Sequence, residues 1–212
     1  MKRCIVIGAA PETSEKEIRA WHKAGDAVFC ADGGAKIALQ MGLAIDLVVG
    51  DLDSWTSPNL PDVEFLRLPR EKDETDMQYA LEEGIRRGFR SFVLLGGLGG
   101  RLDHTMANIA SLEYLKDRGC EGILADAHHG IRIGRGETLR FDGQAGRLLS
   151  IFPHGCPECV VDGVGTEYTL DHLTLRSGFP LGVSNRITQE RCHVTVEKGT
   201  AVFIFSRENE VF

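Results

Sequence analysis

Two aspartates one residue apart follow an apolar run in Leu47-Val48-Val49-Gly50-Asp51-Leu52-Asp53-Ser54. Like charges at the tip of a buried strand repel each other and resist desolvation, so a cation held by Asp51 and Asp53 is the economical reason for them. Three other apolar runs end in a similar way. VFCADGGA supplies Asp32, Gly33 and Gly34; LRLPREKDETD supplies Arg70, Lys72, Asp73 and Asp76; VLLGGLGGRLDH supplies Gly96, Gly97, Gly99 and Gly100, then Arg101, Asp103 and His104. Clustered carboxylates suit a hard dication such as Mg²⁺, which takes one or two protein carboxylates together with phosphate oxygens. Glycine turns bring backbone N–H groups close to phosphate, while Arg70, Lys72 and Arg101 can offset the charge the metal leaves over. Acids, glycines and bases in one place are the parts of a phosphoryl-transfer site, where catalysis is mostly positioning and charge stabilisation.

Each piece has a plainer reading. Thr75 with Gln78, like Ser14 with Glu17, has the spacing of a capping box, and Asp103 is placed to cap a helix over HTMANIA. A single D-x-D occurs in surface loops and in nucleotide-sugar glycosyltransferases, and GGLGG alone is a flexible turn. Independent plain causes would scatter these features. Their recurrence at successive strand ends favours the joint reading.

The elements that must carry these residues follow from periodicity. To about residue 126, short apolar runs alternate with helical patterns: CIVIG, SEKEIRAWHKAG, AVFCAD, AKIALQMG, DLVVGD, VEFLRLP, TDMQYALEEGIRRG, SFVLLGG, DHTMANIASLEYLKDRG and EGILADA. Alternation of this kind predicts a mostly parallel sheet flanked by helices, whose ligands gather outside the carboxyl ends of the strands. Beyond it the helical period is lost. IRIGRG, ETLRFDG, RLLSIFPH, CVVDGVG, TEYTLDHLTL, CHVTVEKG and AVFIFS are short β-type runs between glycine turns. They predict an antiparallel sandwich or barrel. The expected organisation is an α/β domain over 1–127 followed by an all-β domain over 128–212, joined near Asp126–Gly130.

The bulk numbers exclude several classes. A net charge of −7 on 212 residues argues against non-specific binding to nucleic acid or an anionic membrane surface. No apolar run approaches the roughly 20 residues that span a bilayer, and the apolar stretch after Lys2-Arg3 is too short for a signal peptide. The six cysteines are scattered, which predicts a reduced, cytoplasmic protein. Cys156-Pro157-Glu158-Cys159 has the spacing of a zinc knuckle or redox pair, to which Cys192-His193 could add ligands. Without a clear second pair it reads as a turn between strands.

The motifs ADGGA (31–35), GDLDS (50–54), KDETD followed by ALEEG (72–84), GGLGGRLDHTMANI (96–109) and SGFPLGVSNRI (177–187) resemble, in order and spacing, the thiamine pyrophosphokinase (thiamine diphosphokinase) family. The resemblance implies an α/β domain followed by a β-sandwich. It implies a cytoplasmic homodimer with active sites at the subunit interface, and transfer of diphosphate from ATP to the hydroxyethyl oxygen of thiamine with release of AMP. It places Asp51, Asp53 and Asp76 at Mg²⁺, with Asp73 beside them. It places Asp32, Gly33, Lys72, Gly99, Gly100, Arg101, Asp103 and His104 on the ATP side, and Ser184 and Asn185 against thiamine in the other subunit's site. Asp73 and Asp103 are both candidates to take the proton of the attacking hydroxyl. Two departures lie in the second domain: VDGVGTEYTLDHLTL keeps only a G-x-x-Y-x-L framework, and HGCPECV does not follow the expected pattern. Two other functions share much of this signature, a diphosphokinase acting on a pterin alcohol and a non-catalytic Mg²⁺–nucleotide sensor. The GVSN segment and the β-domain favour thiamine.

Overall fold

A computed structural model describes residues 2–11, 13–51, 63–69, 71, 73–206. Asp53, Arg70 and Lys72 therefore lie outside the described residues. The chain divides into two compact units, Met1–Ala127 and His128–Phe212.

The first unit is built on six strands: β1 (Arg3–Ile7), β2 (Ala27–Ala31), β3 (Leu47–Gly50), β4 (Glu64–Arg67), β5 (Ser91–Leu95) and β6 (Glu121–Ala125). All pair in parallel in the order β6-β5-β1-β2-β3-β4. Among the described residues, four helices connect them: α1 (Glu15–Trp21), α2 (Gly34–Gln40), α3 (Asp76–Arg86) and α4 (Leu102–Asp117). Central strands are buried along both faces, and this is why they read as unbroken apolar runs. Ile5, Ile7, Cys30, Val93 and Leu95 pack with Ile18 of α1 and with Ala35 and Ala38 of α2. The opposite face receives α3, where a methyl on Gly84 would stand 2.6 Å from Cε1 of Phe92 and 3.7 Å from Cε2 of Phe29. Glycine inside that helix is the condition for its close approach to the sheet. β4 departs from the unbroken pattern, being partly exposed as the edge strand.

This order matters for function. The chain runs outward from β1 to β4, returns through α3 to β5 on the other side of β1, and then moves outward again to β6. The direction of winding reverses between β1 and β5, and at such a point the loops diverge and leave a crevice beyond the strand tips.

The second unit is a β-sandwich. Its strands are β7 (His129–Gly134), β8 (Thr138–Arg140), β9 (Leu148–Pro153), β10 (Glu158–Val164), β11 (Leu170–Arg176), β12 (Asn185–Arg186), β13 (His193–Lys198) and β14 (Ala201–Ser206). They form antiparallel layers ordered β12-β9-β14-β7 and β11-β10-β13-β8. Phe141 sits 6.1 Å from Phe203 and 5.5 Å from Phe205, ring to ring, in the core. All six cysteines are free, and the Cys156 thiol donates to the Thr200 carbonyl at 3.4 Å. Burial pushes Cys159 up to about 11, so that thiol is a poor thiolate source. No described helix is long and apolar enough to cross a membrane.

Candidate active site

A cavity of about 410 Å³ opens at the tips of β1 and β5, where the winding reverses. That volume is within the range of small-molecule sites. Four successive segments line it. Gly8-Ala9-Ala10-Pro11 leave β1; Ala31 and Asp32 end β2; Thr75, Asp76 and Met77 begin α3; Gly96 to Asn108 carry the turn after β5 and the start of α4.

The β1 and β5 tips continue to pair beyond the strands. Gly8 N–H donates to the Leu95 carbonyl at 2.7 Å, and Ala10 N–H donates to the Gly96 carbonyl at 3.0 Å. A Cβ on Gly8 would meet the Gly96 carbonyl oxygen at 2.6 Å, so only glycine permits this approach. Gly96, Gly99 and Gly100 have φ of 63°, 84° and 60°, a left-handed turn that L side chains resist. The Asn108 side chain, buried on α4, donates to the Gly97 carbonyl at 2.8 Å. The Arg101 side chain at the N-cap of α4 accepts no first-turn N–H, so the turn's amides and the helix dipole suit an anion.

Acids border this glycine turn. Asp76 is the first residue of α3 and lines the cavity, half-buried. Asp32 also lines it, held at φ 45°, with its N–H donating to the Val49 carbonyl at 2.7 Å. Asp51 follows Gly50 at the tip of β3. Any Cβ on Gly50 would lie 3.2 Å from Cα of Asp32, so Asp32 and Asp51 leave adjoining strand tips. Asp51 itself does not line the cavity. Gly33 caps α2 just behind Asp32, and Asp73 is exposed on the approach to α3.

Arg101 and His104 reach the cavity rim. Arg101 is ion-paired to Asp103 through two hydrogen bonds, at 3.1 and 2.5 Å, with side chains 72 % and 65 % exposed. The guanidinium holds the Asp103 carboxyl below the usual carboxylate range. Asp103 does not cap α4. The helix begins at Leu102, and Asp103 accepts from His104 N–H at 3.0 Å within the first turn.

Both capping residues act as the spacing predicts. Ser14 Oγ accepts from Glu17 N–H at 3.2 Å, and Thr75 Oγ1 accepts from Gln78 N–H at 3.2 Å. Glu17 also takes the Ser14 N–H, and both box partners reach beyond their own helix starts. Glu17, 3 % exposed, accepts from Gly96 N–H at 2.6 Å, and burial pushes its carboxyl up to about 6. The Gln78 amide bridges Glu82, at 3.2 Å, and the Ser111 hydroxyl, at 3.0 Å.

In the second unit, Ser184 is exposed at φ 57°, its N–H donating to Ser150 Oγ at 3.0 Å. Asn185 is only 5 % exposed. Its carbonyl accepts from Tyr168 N–H at 3.0 Å and Arg186 N–H at 2.8 Å, while its amide donates to the Tyr168 carbonyl at 3.0 Å. Asn185 thus fixes the Tyr168 backbone, and Tyr168 exposes its ring. Asp162, Asp171 and His172 also place possible ligand atoms within 4.8 Å of one another, far along the chain from the phosphate-type motifs. The sequence reading did not single out Gly8–Pro11, Met77 or Asn108. The glycine directly after the first apolar run was the available signal.

The chain is similar to known proteins along its length. Thiamin pyrophosphokinase 1 of Caenorhabditis elegans is 27 % identical over 221 residues, covering 98 % of this chain and 89 % of that protein. The thiamine pyrophosphokinase of Bacillus subtilis is 23 % identical, covering 98 % and 100 %. A crystal structure of the Bacillus subtilis protein superposes with a TM-score of 0.88 at 21 % identity, covering 98 % of this chain and all of that one. That of the Candida albicans thiamin pyrophosphokinase superposes at 0.81 and 14 % identity, covering 98 % and 89 %. At these identities the structures speak for the fold alone. The pattern described as "Thiamin pyrophosphokinase, catalytic domain" matches residues 18–124, and that described as "Thiamin pyrophosphokinase, vitamin B1 binding domain" matches residues 129–201. Matched end to end over most of its length, the chain belongs to the thiamin pyrophosphokinase family.

Proposed function

We propose that the chain transfers diphosphate from ATP to the hydroxyethyl oxygen of thiamine, releasing AMP, with the triphosphate held in the cavity at the β1 and β5 tips. One observation carries this reading: a left-handed glycine turn, an open helix start and two carboxylates meet at the point where the sheet's winding reverses. Asp51 and Asp76, with Asp53 added from the sequence, would hold Mg²⁺. Their hard oxygen donors fit that ion better than a softer metal. When bound, the ion supplies charge neutralisation on the transferred group.

The chain's own residues do the rest. The Gly96–Gly100 turn and the first turn of α4 present N–H groups to phosphate oxygens. Arg101, paired to Asp103 at the surface, can exchange that partner for phosphate at little cost, since exposed pairs contribute only about 0–1 kcal/mol. Lys72 is assigned to the same task from its place in the sequence. The acceptor's hydroxyl must lose a proton. Asp73 and Asp103 are the two candidates to take it.

Ser184, Asn185 and the exposed Tyr168 are assigned to the thiamine side. Val164, Tyr168, Phe179, Leu181 and Val183 are all exposed on the second unit. Together they support a second copy of the chain as their cover, a homodimer. Six free thiols suit a reducing, cytoplasmic setting.

The test is incubation with ATP, Mg²⁺ and thiamine, with nucleotide and thiamine products separated by chromatography. Thiamine diphosphate and AMP in equal amounts support the reading. ADP, or AMP release only with a hydroxymethyl pterin, overturns it. Binding of ATP without turnover identifies a sensor instead.

A further inference from the structure

We propose that Glu17 is a positioning residue for the nucleotide: its carboxylate holds the Gly96 peptide so that the Gly97–Gly100 turn meets the phosphates. The proposal rests on the reading of the cavity as the ATP site.

Gly96 is the first residue past β5 and has φ 63°. A glycine in that region has no steric preference of its own, so its neighbours must set the orientation of its peptide. Three hydrogen bonds do so. Glu17 takes the Gly96 N–H at 2.6 Å, the Ala10 N–H takes the Gly96 carbonyl at 3.0 Å, and the Asn108 amide takes the Gly97 carbonyl at 2.8 Å. Two of the three come from segments that line the cavity. The third comes from α1, outside it.

Glu17 is an expensive choice for a purely structural bond. It is 3 % exposed, and a buried carboxylate is costly in a sheet-packed helix. The local pattern by itself accounts only for a return to the capping serine's N–H, which the Glu17 carboxylate also makes. The bond to Gly96 is additional and reaches a distant strand tip. Asp126 adds unfavourable charge nearby, and the bond is made regardless. The bond to Gly96 fixes the entry to the phosphate turn. A carboxylate is an acceptor only, so it also prevents the Gly96 amide from turning toward the ligand and leaves that task to the amides that follow.

The test is steady-state kinetics of Glu17→Ala and Glu17→Gln with ATP and thiamine each varied, together with amide exchange of Gly96 in the free protein. Removal of one charge-assisted bond predicts that Glu17→Ala raises the ATP KM about tenfold and leaves the thiamine KM within about twofold. It also speeds Gly96 exchange beyond that of neighbouring β5 amides. Glu17→Gln keeps an acceptor oxygen and recovers most of the loss. Should Glu17→Ala not fold, Glu17→Asp, which keeps the charge but not the reach, must show the same ATP-specific rise. An ATP KM unchanged in an active Glu17→Ala chain, equal rises in both KM values, or Glu17→Gln as impaired as Glu17→Ala overturns this proposal alone. A wild-type chain that neither binds nor consumes ATP overturns the function and this proposal together.

Discussion

Replacing Glu17 with glutamine should change how the first unit's stability depends on pH. The carboxyl titrates at 4.5 in an ordinary setting and is raised to about 6 in the fold, chiefly by burial. Between those values the folded chain binds more protons at this site than the unfolded chain. Unfolding free energy therefore falls as pH rises through the window. Glu17's contribution is fully present below about pH 4.5 and is lost above about pH 6. At about 1.36 kcal/mol per pKa unit, the shift corresponds to about 2 kcal/mol. Glutamine stays neutral throughout, so the variant lacks this slope. The assay is urea unfolding followed by tryptophan fluorescence from about pH 4.5 to about pH 7. Both tryptophans, Trp21 and Trp55, belong to the first unit's sequence, so the signal reports that unit. Trp21 also donates its indole N–H to the Asp126 carbonyl at 2.9 Å, close to the titrating group's surroundings. Asp26 and Glu83, whose carboxyls are lowered by arginine partners, slope the opposite way and cancel in the difference between the two proteins. The expected result is a variant that gains about 2 kcal/mol relative to wild type across the window. Parallel curves would refute the reasoning.

Three further outcomes are expected. Asp76→Asn keeps shape but removes the charge at the start of α3, and should lower kcat by at least about 100-fold with an unchanged urea midpoint. Gly84→Ala sets a methyl 2.6 Å from the Phe92 ring. The overpacking cost of about 1–3 kcal/mol exceeds the gain of about 1 kcal/mol in helix propensity, so the tryptophan-monitored midpoint should fall. Asn185→Ala strands the Tyr168 backbone and should cost the second unit about 2–3 kcal/mol, seen as an earlier calorimetric transition, with a higher thiamine KM.

Much of this architecture was legible in the sequence, because it is periodic. The unbroken runs of β1, β2, β3 and β5 announce strands covered on both faces, and the short runs after residue 127 announce a sheet packed on a sheet. What escaped was whatever depends on pairing across distance. The neighbourhood of β1 and β5 follows from a strand order that no local pattern encodes, so Gly8–Pro11 went unremarked beside the glycine turn they face. The capping boxes show the same limit. Local spacing correctly identified Ser14 and Thr75, while the tertiary partners of Glu17 and Gln78 lay beyond it. Strand β12 is two residues long, too short for any period, and the use of Asn185 as a clamp on Tyr168 depends on that pairing.

The close approach of Gly8 to Gly96 also divides the pocket mechanically. Part of its lining is main chain, hydrogen-bonded across the two strand tips. Main chain has no rotamers to freeze when a guest arrives, so side-chain entropy lost on binding falls more on the rim, where Arg101 and His104 stand exposed. The pocket thus joins a rigid stretch of lining to an adaptable rim.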